Sequence, residues 1–388
     1  MTEAPAENAM FSFAVRDISA KKPAIEIIVK CVYIPYVGSV NIPNNSCQLR
    51  VDLDLEWIAT AADRQSFEEA PDDFRPGFVP QLVFQNAKEV ETLEVPGADG
   101  NPFKITPAGY NFVRLKVVGT FIQQYELQSF PVDVQQLTIS ISVSFLTAKE
   151  LLLVPPPPNA DGTPFTFVYV IGRYSALPDW RFKRVLCDFV VQDAFSHLVV
   201  IVQIQRIPNA ILLKGFLPAL LYAYFGFFNI SVNPDALSDR LGVIITLLLT
   251  FTALQQNVAS YLPLVPYNTL YDKYVWACFT ALFSLGMLAF VMGTYSRLVP
   301  LVIEDSEQKA VFEMADRVAH LVVLAVMTGV QLFFVFKYRS CKNAELRKTT
   351  MPFKELVALE ERENAKSGSS HVILMQATDS LSSSAPPM

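Results

Sequence analysis

The stretch from Asp239 to Pro263, DRLGVIITLLLTFTALQQNVASYLP, constrains this chain more than any other. Between Leu241 and Leu262 it has no charged residue, and as a helix it would run roughly 33 Å, enough to cross the hydrocarbon core of a bilayer. It is nevertheless not built as a lipid anchor. Gly242, Thr246, Leu249, Ala253, Gln256 and Ser260 follow one another at alternating steps of four and three, which on a helix makes a single stripe. Every large aliphatic residue between Val243 and Leu254 except Leu249 lies off that stripe. The helix therefore offers apolar flanks to its neighbours and a small, hydroxylated line to water, which predicts a pore-lining helix. The competing reading is a buried helix whose hydroxyls bond to their own backbone.

Three more apolar runs accompany it, so spanning helices are expected at about 211–230, 241–262, 274–295 and 318–336. The first carries Pro218, which a membrane helix tolerates where neighbours re-satisfy the backbone. Hydrophobic residues make up 52% of the 388 and charged ones 18%; charged residues are scattered through the first two hundred residues, and the four apolar runs fall between Gly215 and Phe336. A soluble half precedes a membrane half.

The soluble half reads as strands. Leu49, Val51, Leu53, Leu55 and Trp57 alternate with Gln48, Arg50, Asp52, Asp54 and Glu56, which predicts a strand buried on one face only. Leu137 to Phe145 repeats the pattern with serines and a threonine outward, and Tyr110–Phe121, Phe165–Ile171, Trp180–Val191 and Leu198–Arg206 are further candidates. Gly38 to Asn45 reads as a turn, Ala61 to Pro76 as a polar connection and Pro155–Pro158 as extended polyproline. Short strands at this spacing predict an antiparallel β-sandwich. The expected organisation is a tail over 1–23, a sandwich over 24–208, a four-helix membrane domain over 209–340 and a disordered tail over 341–388, with a short helix possible near Pro352 to Asn364. Met1 to Lys22 has no basic start followed by an apolar core, so insertion relies on the first membrane helix or on a leader already removed.

Several function classes fall away. The net charge of −6 provides no basic patch for nucleic acid. Cys31, Cys47, Cys187, Cys278 and Cys341 have no CxxC spacing, and His197, His320 and His371 lie far apart, so neither metal nor cofactor is expected. No catalytic constellation is visible, which argues against an enzyme.

An ordered set of motifs resembles the pentameric ligand-gated ion channels, the Cys-loop receptor superfamily. Phe130-Pro131-Val132-Asp133 looks like the aromatic-Pro-x-Asp centre of the signature loop. Trp57 resembles the strand-two tryptophan, Phe78-Val79-Pro80 with Asn86 the WxP…N segment, and Trp180 a strand-nine position. Arg206, twelve residues before Pro218, fits the arginine ending the last strand, and LPLVPYNT, Leu262 to Thr269, the loop between the second and third helices. The match covers roughly Ala24 to Tyr338. Gln123 and Leu137 stand where the loop's disulfide cysteines would fall, so the resemblance is to the disulfide-free, prokaryotic-like type.

The resemblance implies a homopentamer in a cell membrane, with the sandwich and both termini outside, opened by a small-molecule or ionic agonist. Asp239 would form an acidic selectivity ring favouring monovalent cations, its plain alternative being a helix cap; Arg240 beside it would point away from the lumen. Leu249 would be the gate, closing the pore by dewetting. Phe130, Pro131, Asp133, Arg206, Pro263, Pro266 and Tyr267 would couple sandwich to pore. Asp52, Gln85, Ser144, Phe189 and Phe195 fall at the family's agonist-site positions, though without its aromatic box. Counting charge pulls the other way: Lys337, Arg339, Lys342, Arg347 and Lys348 crowd the C-terminal side of the last span, against Arg240, Arg297, Lys309 and Arg317 on the opposite loops, and this would invert the protein. A non-conducting membrane sensor and an accessory subunit of a mixed channel are the alternatives.

Overall fold

The computed structural model describes residues 25–97, 100–143, 146–158, 168–170, 177–192, 194–259, 265–298, 306–352 and 355. An N-terminal β-sandwich is followed by four long helices. The strands are β1 Ile25–Asn41, β2 Ser46–Ile58, β3 Leu82–Phe84, β4 Ala87–Glu94, β5 Phe103–Ile105, β6 Tyr110–Ile122, β7 Val134–Val143, β8 Leu151–Val154, β9 Val168–Val170, β10 Trp180–Gln192 and β11 Phe195–Arg206. One sheet runs β4-β6-β2-β1-β8, with β5 on β6 and β9 on β1; the other runs β10-β11-β7-β3. Leu49, Val51, Leu53, Leu55 and Trp57 of β2 face Leu137, Ile139 and Ile141 of β7 and Val200, Val202 and Ile204 of β11 across the core, all buried. This is the inward half of the expected alternation.

The outward half differs from expectation. Asp54 and Glu56 are buried too, because Arg114 of β6 forks onto Asp54 at 2.6 and 2.7 Å and Lys30 of β1 reaches Glu56 at 2.6 Å. Long basic side chains from neighbouring strands roof the acids over. Ser140 and Ser142 of β7, expected outward, are buried as well; Gln85 donates to the Ser142 hydroxyl at 2.8 Å and Asn86 receives the Ser140 N–H at 3.2 Å. β1 continues through Gly38 to Asn41, so the turn is confined to the residues just after it.

The segment read as a polar connection contains a helix, α1 Ala61–Glu69. Thr60 caps it: its hydroxyl accepts from the Asp63 N–H at 3.1 Å while the Asp63 carboxylate accepts from the Thr60 N–H at 3.0 Å. β4, with side chains almost all exposed, is an edge strand that the sequence pattern did not announce. Ser144, Phe145 and most of the Phe165–Ile171 candidate lie outside the described residues.

Four helices are long and apolar enough to cross a membrane: α2 Asn209–Ser231, α3 Leu237–Ala259, α4 Leu270–Leu298 and α5 Ser306–Lys348. α2 is composite, with a π turn at Leu212–Phe216 and a 3-10 end at Gly226–Ser231. α5 has 43 residues and continues well past the apolar window that ends at Phe336. Residues 341–348, expected as disordered tail, are its last turns; the short helix expected from Pro352 lies almost wholly outside the described residues.

Candidate functional site

α3 is two-faced. Its inner face, Arg240, Ile244 and Phe251, is buried against the chain's own bundle. Gly242, Thr246, Leu249, Ala253 and Gln256 are all exposed, Leu249 at 71%, and among the described residues nothing beyond the helix's own adjoining backbone lies within 4 Å of where a Cβ on Gly242 would be. The stripe therefore faces away from the subunit. Ser260 and Pro263 lie outside the described residues. Thr246 donates to the Gly242 carbonyl at 2.8 Å and Thr250 to that of Thr246 at 2.8 Å. These hydroxyls are satisfied by their own helix and still turn oxygen lone pairs outward.

At the helix start Asp239 is exposed, with its N–H bonded to the Ala236 carbonyl at 3.2 Å. Arg240 turns the other way, fully buried. Its guanidinium meets Asp316 of α5 at 2.7 and 3.0 Å and donates through Nε to the Val232 carbonyl at 2.9 Å. His320, one turn along α5, places Nδ1 2.9 Å from the Asp316 carbonyl, and its buried Nε2 has no partner among the described residues. The Arg240–Asp316 pair bolts the second membrane helix to the fourth and leaves Asp239 as the ionisable group on the open face of that turn.

The opposite end of the bundle meets the sandwich. Arg206 closes β11 and forks onto Asp133 at 2.8 and 3.1 Å, with both side chains nearly sealed from solvent at 7% and 1% exposed. The Arg206 N–H also donates to the Asp133 carbonyl at 3.1 Å. Its guanidinium lies over Trp180 at 4.1 Å and Phe130 at 5.0 Å, so its faces are covered by rings while its edge pairs. Gln135 donates to Asp133 at 2.6 Å and clasps Glu126 through both its amide atoms, at 2.7 and 3.2 Å.

The loop so held presses on the helices. Phe130, joined to Pro131 by a cis bond, packs edge-on to Tyr271 at 6.3 Å; Tyr271 in turn meets Phe216 at 5.1 Å. The Leu127 N–H donates to the Tyr267 hydroxyl at 3.0 Å and the Leu270 N–H to the Gln128 carbonyl at 3.1 Å. Burial pushes the Tyr267 phenol up from its ordinary value, so it stays protonated. Phe130, Asp133, Arg206 and Tyr267 are thus brought together as expected, whereas Pro266 is exposed beside them.

Other contacts here were not legible in sequence. Glu345 of α5 is buried under the loop, accepting from the Val134 N–H at 3.4 Å; Lys348 lies 3.6 Å from both Glu345 and Glu126. Arg184 of β10 donates to the Lys348 carbonyl at 3.1 Å and to that of Met351, capping the end of α5. Gln123 donates to the Thr138 carbonyl at 2.8 Å and receives the Thr138 N–H at 2.9 Å. All five thiols are free.

The agonist-site candidates do not converge within one chain. Asp52 is on β2 of one sheet, paired with Arg50 at 2.7 Å; in the other sheet Gln85 follows β3, and Phe189 and Phe195 flank the β10–β11 hairpin, half-buried and exposed respectively. Ser144 is outside the described residues.

A β-sandwich whose β6–β7 loop rests on four helices long and apolar enough to span a membrane, one of them turning a hydroxylated stripe outward, is the form of an integral membrane protein. The chain is similar to gamma-aminobutyric acid receptor subunit beta of Caenorhabditis elegans, 24% identical over 229 residues, or 56% of this chain and 39% of that one. It is also similar to subunit theta of Mus musculus, 22% over 222 residues (56% and 33%), and to subunit beta-4 of Gallus gallus, 22% over 220 residues (56% and 44%). The matches thus span less than half the length of these relatives. No protein-family model matches the chain.

Proposed function

We propose that this chain is the subunit of a homopentameric ligand-gated channel for monovalent cations, of the disulfide-free kind, with the sandwich and the C-terminus outside the cell. One observation carries the reading: Gly242, Thr246, Leu249, Ala253 and Gln256 share the face of α3 that the chain's own bundle leaves open. Five such faces enclose a wet lumen with a leucine girdle at its middle. Agonist bound between the sandwiches of neighbouring subunits, with Asp52 from one and Phe189 and Phe195 from the next, shifts the closed–open equilibrium through Asp133, Arg206 and Tyr267. Five exposed Asp239 carboxylates supply the cation preference, since a narrow ring of like charge concentrates counter-ions.

The test is current through membranes holding the chain alone, wild type beside Leu249→Ser, in asymmetric salt. A standing leak in the variant that reverses near the cation equilibrium potential is expected. Reversal at the anion potential would keep pore and gate and overturn the selectivity; silence from both, with protein at the surface, would favour a non-conducting sensor or an accessory subunit.

A further inference from the structure

Of the basic residues that upset the charge count, Lys348 is paired with Glu126 and Glu345, but others nearer the membrane have no acidic partner among the described residues. Lys337, Arg339 and Lys342 of α5, Lys214 of α2 and Lys273 of α4 are all exposed, and among the described residues none has a carboxylate within ion-pair reach. The acid next to Lys273 in sequence, Asp272, is engaged by the Thr269 hydroxyl at 2.8 Å and N–H at 2.9 Å. Ring contacts set three helices at one height: Phe216 of α2 lies 4.7 Å from Tyr274 of α4, which lies 5.4 Å from Phe334 of α5. Each helix carries its cation one to three residues from that rung, on the side toward the sandwich. Immediately below, on the side away from the sandwich, Phe333 and Trp276 are exposed at 60% and 55%, and Phe336 lies beside Lys337 at 74%.

Cations at one level over exposed apolar rings match a phospholipid with an anionic headgroup, its phosphate among the bases and its chains along the rings. We propose that the sandwich-side rim of the helix bundle, Lys214, Lys273, Lys337 and Arg339, is a binding belt for anionic phospholipid in the adjoining leaflet. Lys337 and Arg339 of the C-terminal charge cluster are then lipid contacts. Nothing in this depends on the chain conducting ions.

Trp276 is a built-in reporter, because Trp57 and Trp180 are buried in the sandwich. The full chain is placed in phosphatidylcholine vesicles containing one-fifth phosphatidylglycerol, with bromine near the headgroup end of the chains of either the phosphatidylglycerol or an equal amount of phosphatidylcholine. Tryptophan quenching is compared between the two, and Trp276→Phe supplies the background. Brominated phosphatidylglycerol is expected to quench as though enriched at least about twofold over its bulk share, with 0.5 M salt removing the excess. Joint replacement of Lys214, Lys273, Lys337 and Arg339 by Gln should abolish it, while Lys273→Arg with Lys337→Arg should retain it. Equal quenching by the two lipids in wild type overturns the proposal. So does an excess that survives the Gln replacements, or one that millimolar inorganic phosphate displaces at constant ionic strength, which would mark an anion site and not a lipid belt. The wild-type comparison and its salt dependence decide the matter even if the fourfold variant does not fold.

Discussion

Two buried arginine–aspartate pairs stand at opposite ends of the helix bundle, and they are built differently. Arg206–Asp133 ties the end of β11 to the loop that rests on the helices, with redundancy: a fork, a backbone hydrogen bond between the same residues, two aromatic rings over the guanidinium and an amide from Gln135. Arg240–Asp316 joins two helices through side chains, supported by one backbone carbonyl and flanked by a histidine with an unpartnered nitrogen. Burying a charge pair costs desolvation that only good geometry offsets. The sandwich end meets that cost with many small contacts; the far end meets it almost entirely with the pair. The first holds the loop that rests on the helices, and the second fixes one helix against another.

The largest effect should come from Arg206→Met, which strands the Asp133 charge. It should cost about 3 to 5 kcal/mol, read as thermal unfolding in detergent, and a loss below about 1 kcal/mol would mean that the rings and backbone hold the junction unaided. Arg240→Met should cost nearly as much, but adding Asp316→Leu should return stability to within about 1 kcal/mol of wild type, because beyond the Arg240 fork only His320 Nδ1, at 3.5 Å, approaches that carboxylate among the described residues. Arg206→Met with Asp133→Leu should recover far less, since Gln135 also leans on Asp133; equal recovery at the two ends would erase the contrast.

A smaller effect, about 1 to 2 kcal/mol, is expected from Tyr267→Phe, which takes the acceptor from the Leu127 N–H. The smallest is a control remote from both ends. Burial alone would raise the Asp63 carboxyl, but N–H groups of Gly77 and Thr60 and the Asn111 amide outweigh it and hold it below the usual range. Its stabilisation is complete above the unfolded value near 3.9 and is lost as pH falls through the depressed folded one. Asp63→Asn should therefore cost about 1 kcal/mol at pH 7, with the gap to wild type closing toward pH 3 in melting curves.

The sequence announces what is periodic or local. Apolar runs located the four helices, and the steps of four and three on α3 picked out the residues its bundle leaves open. Long-range pairing was less visible. Asp54 and Glu56 looked solvent-facing because Arg114 and Lys30 come from other strands, and Asp316 gave no sign that it would meet Arg240. α1 was overlooked although Thr60 and Asp63 form a capping box, since its apolar content is too low to show an amphipathic face. α5 was cut short because its last turns are polar, and their burial depends on a sandwich formed far earlier in the chain. The Asp133–Arg206 meeting followed from resemblance, not from any feature of spacing.

The Gln123 clasp on Thr138 closes the β6–β7 loop without sulfur. A disulfide there would act largely on the unfolded chain, by shortening the excursions of the loop it ties, and would require an oxidising compartment. An amide with two hydrogen bonds does neither. Closure of this loop is therefore indifferent to redox poise, and opening it breaks two hydrogen bonds but no covalent bond.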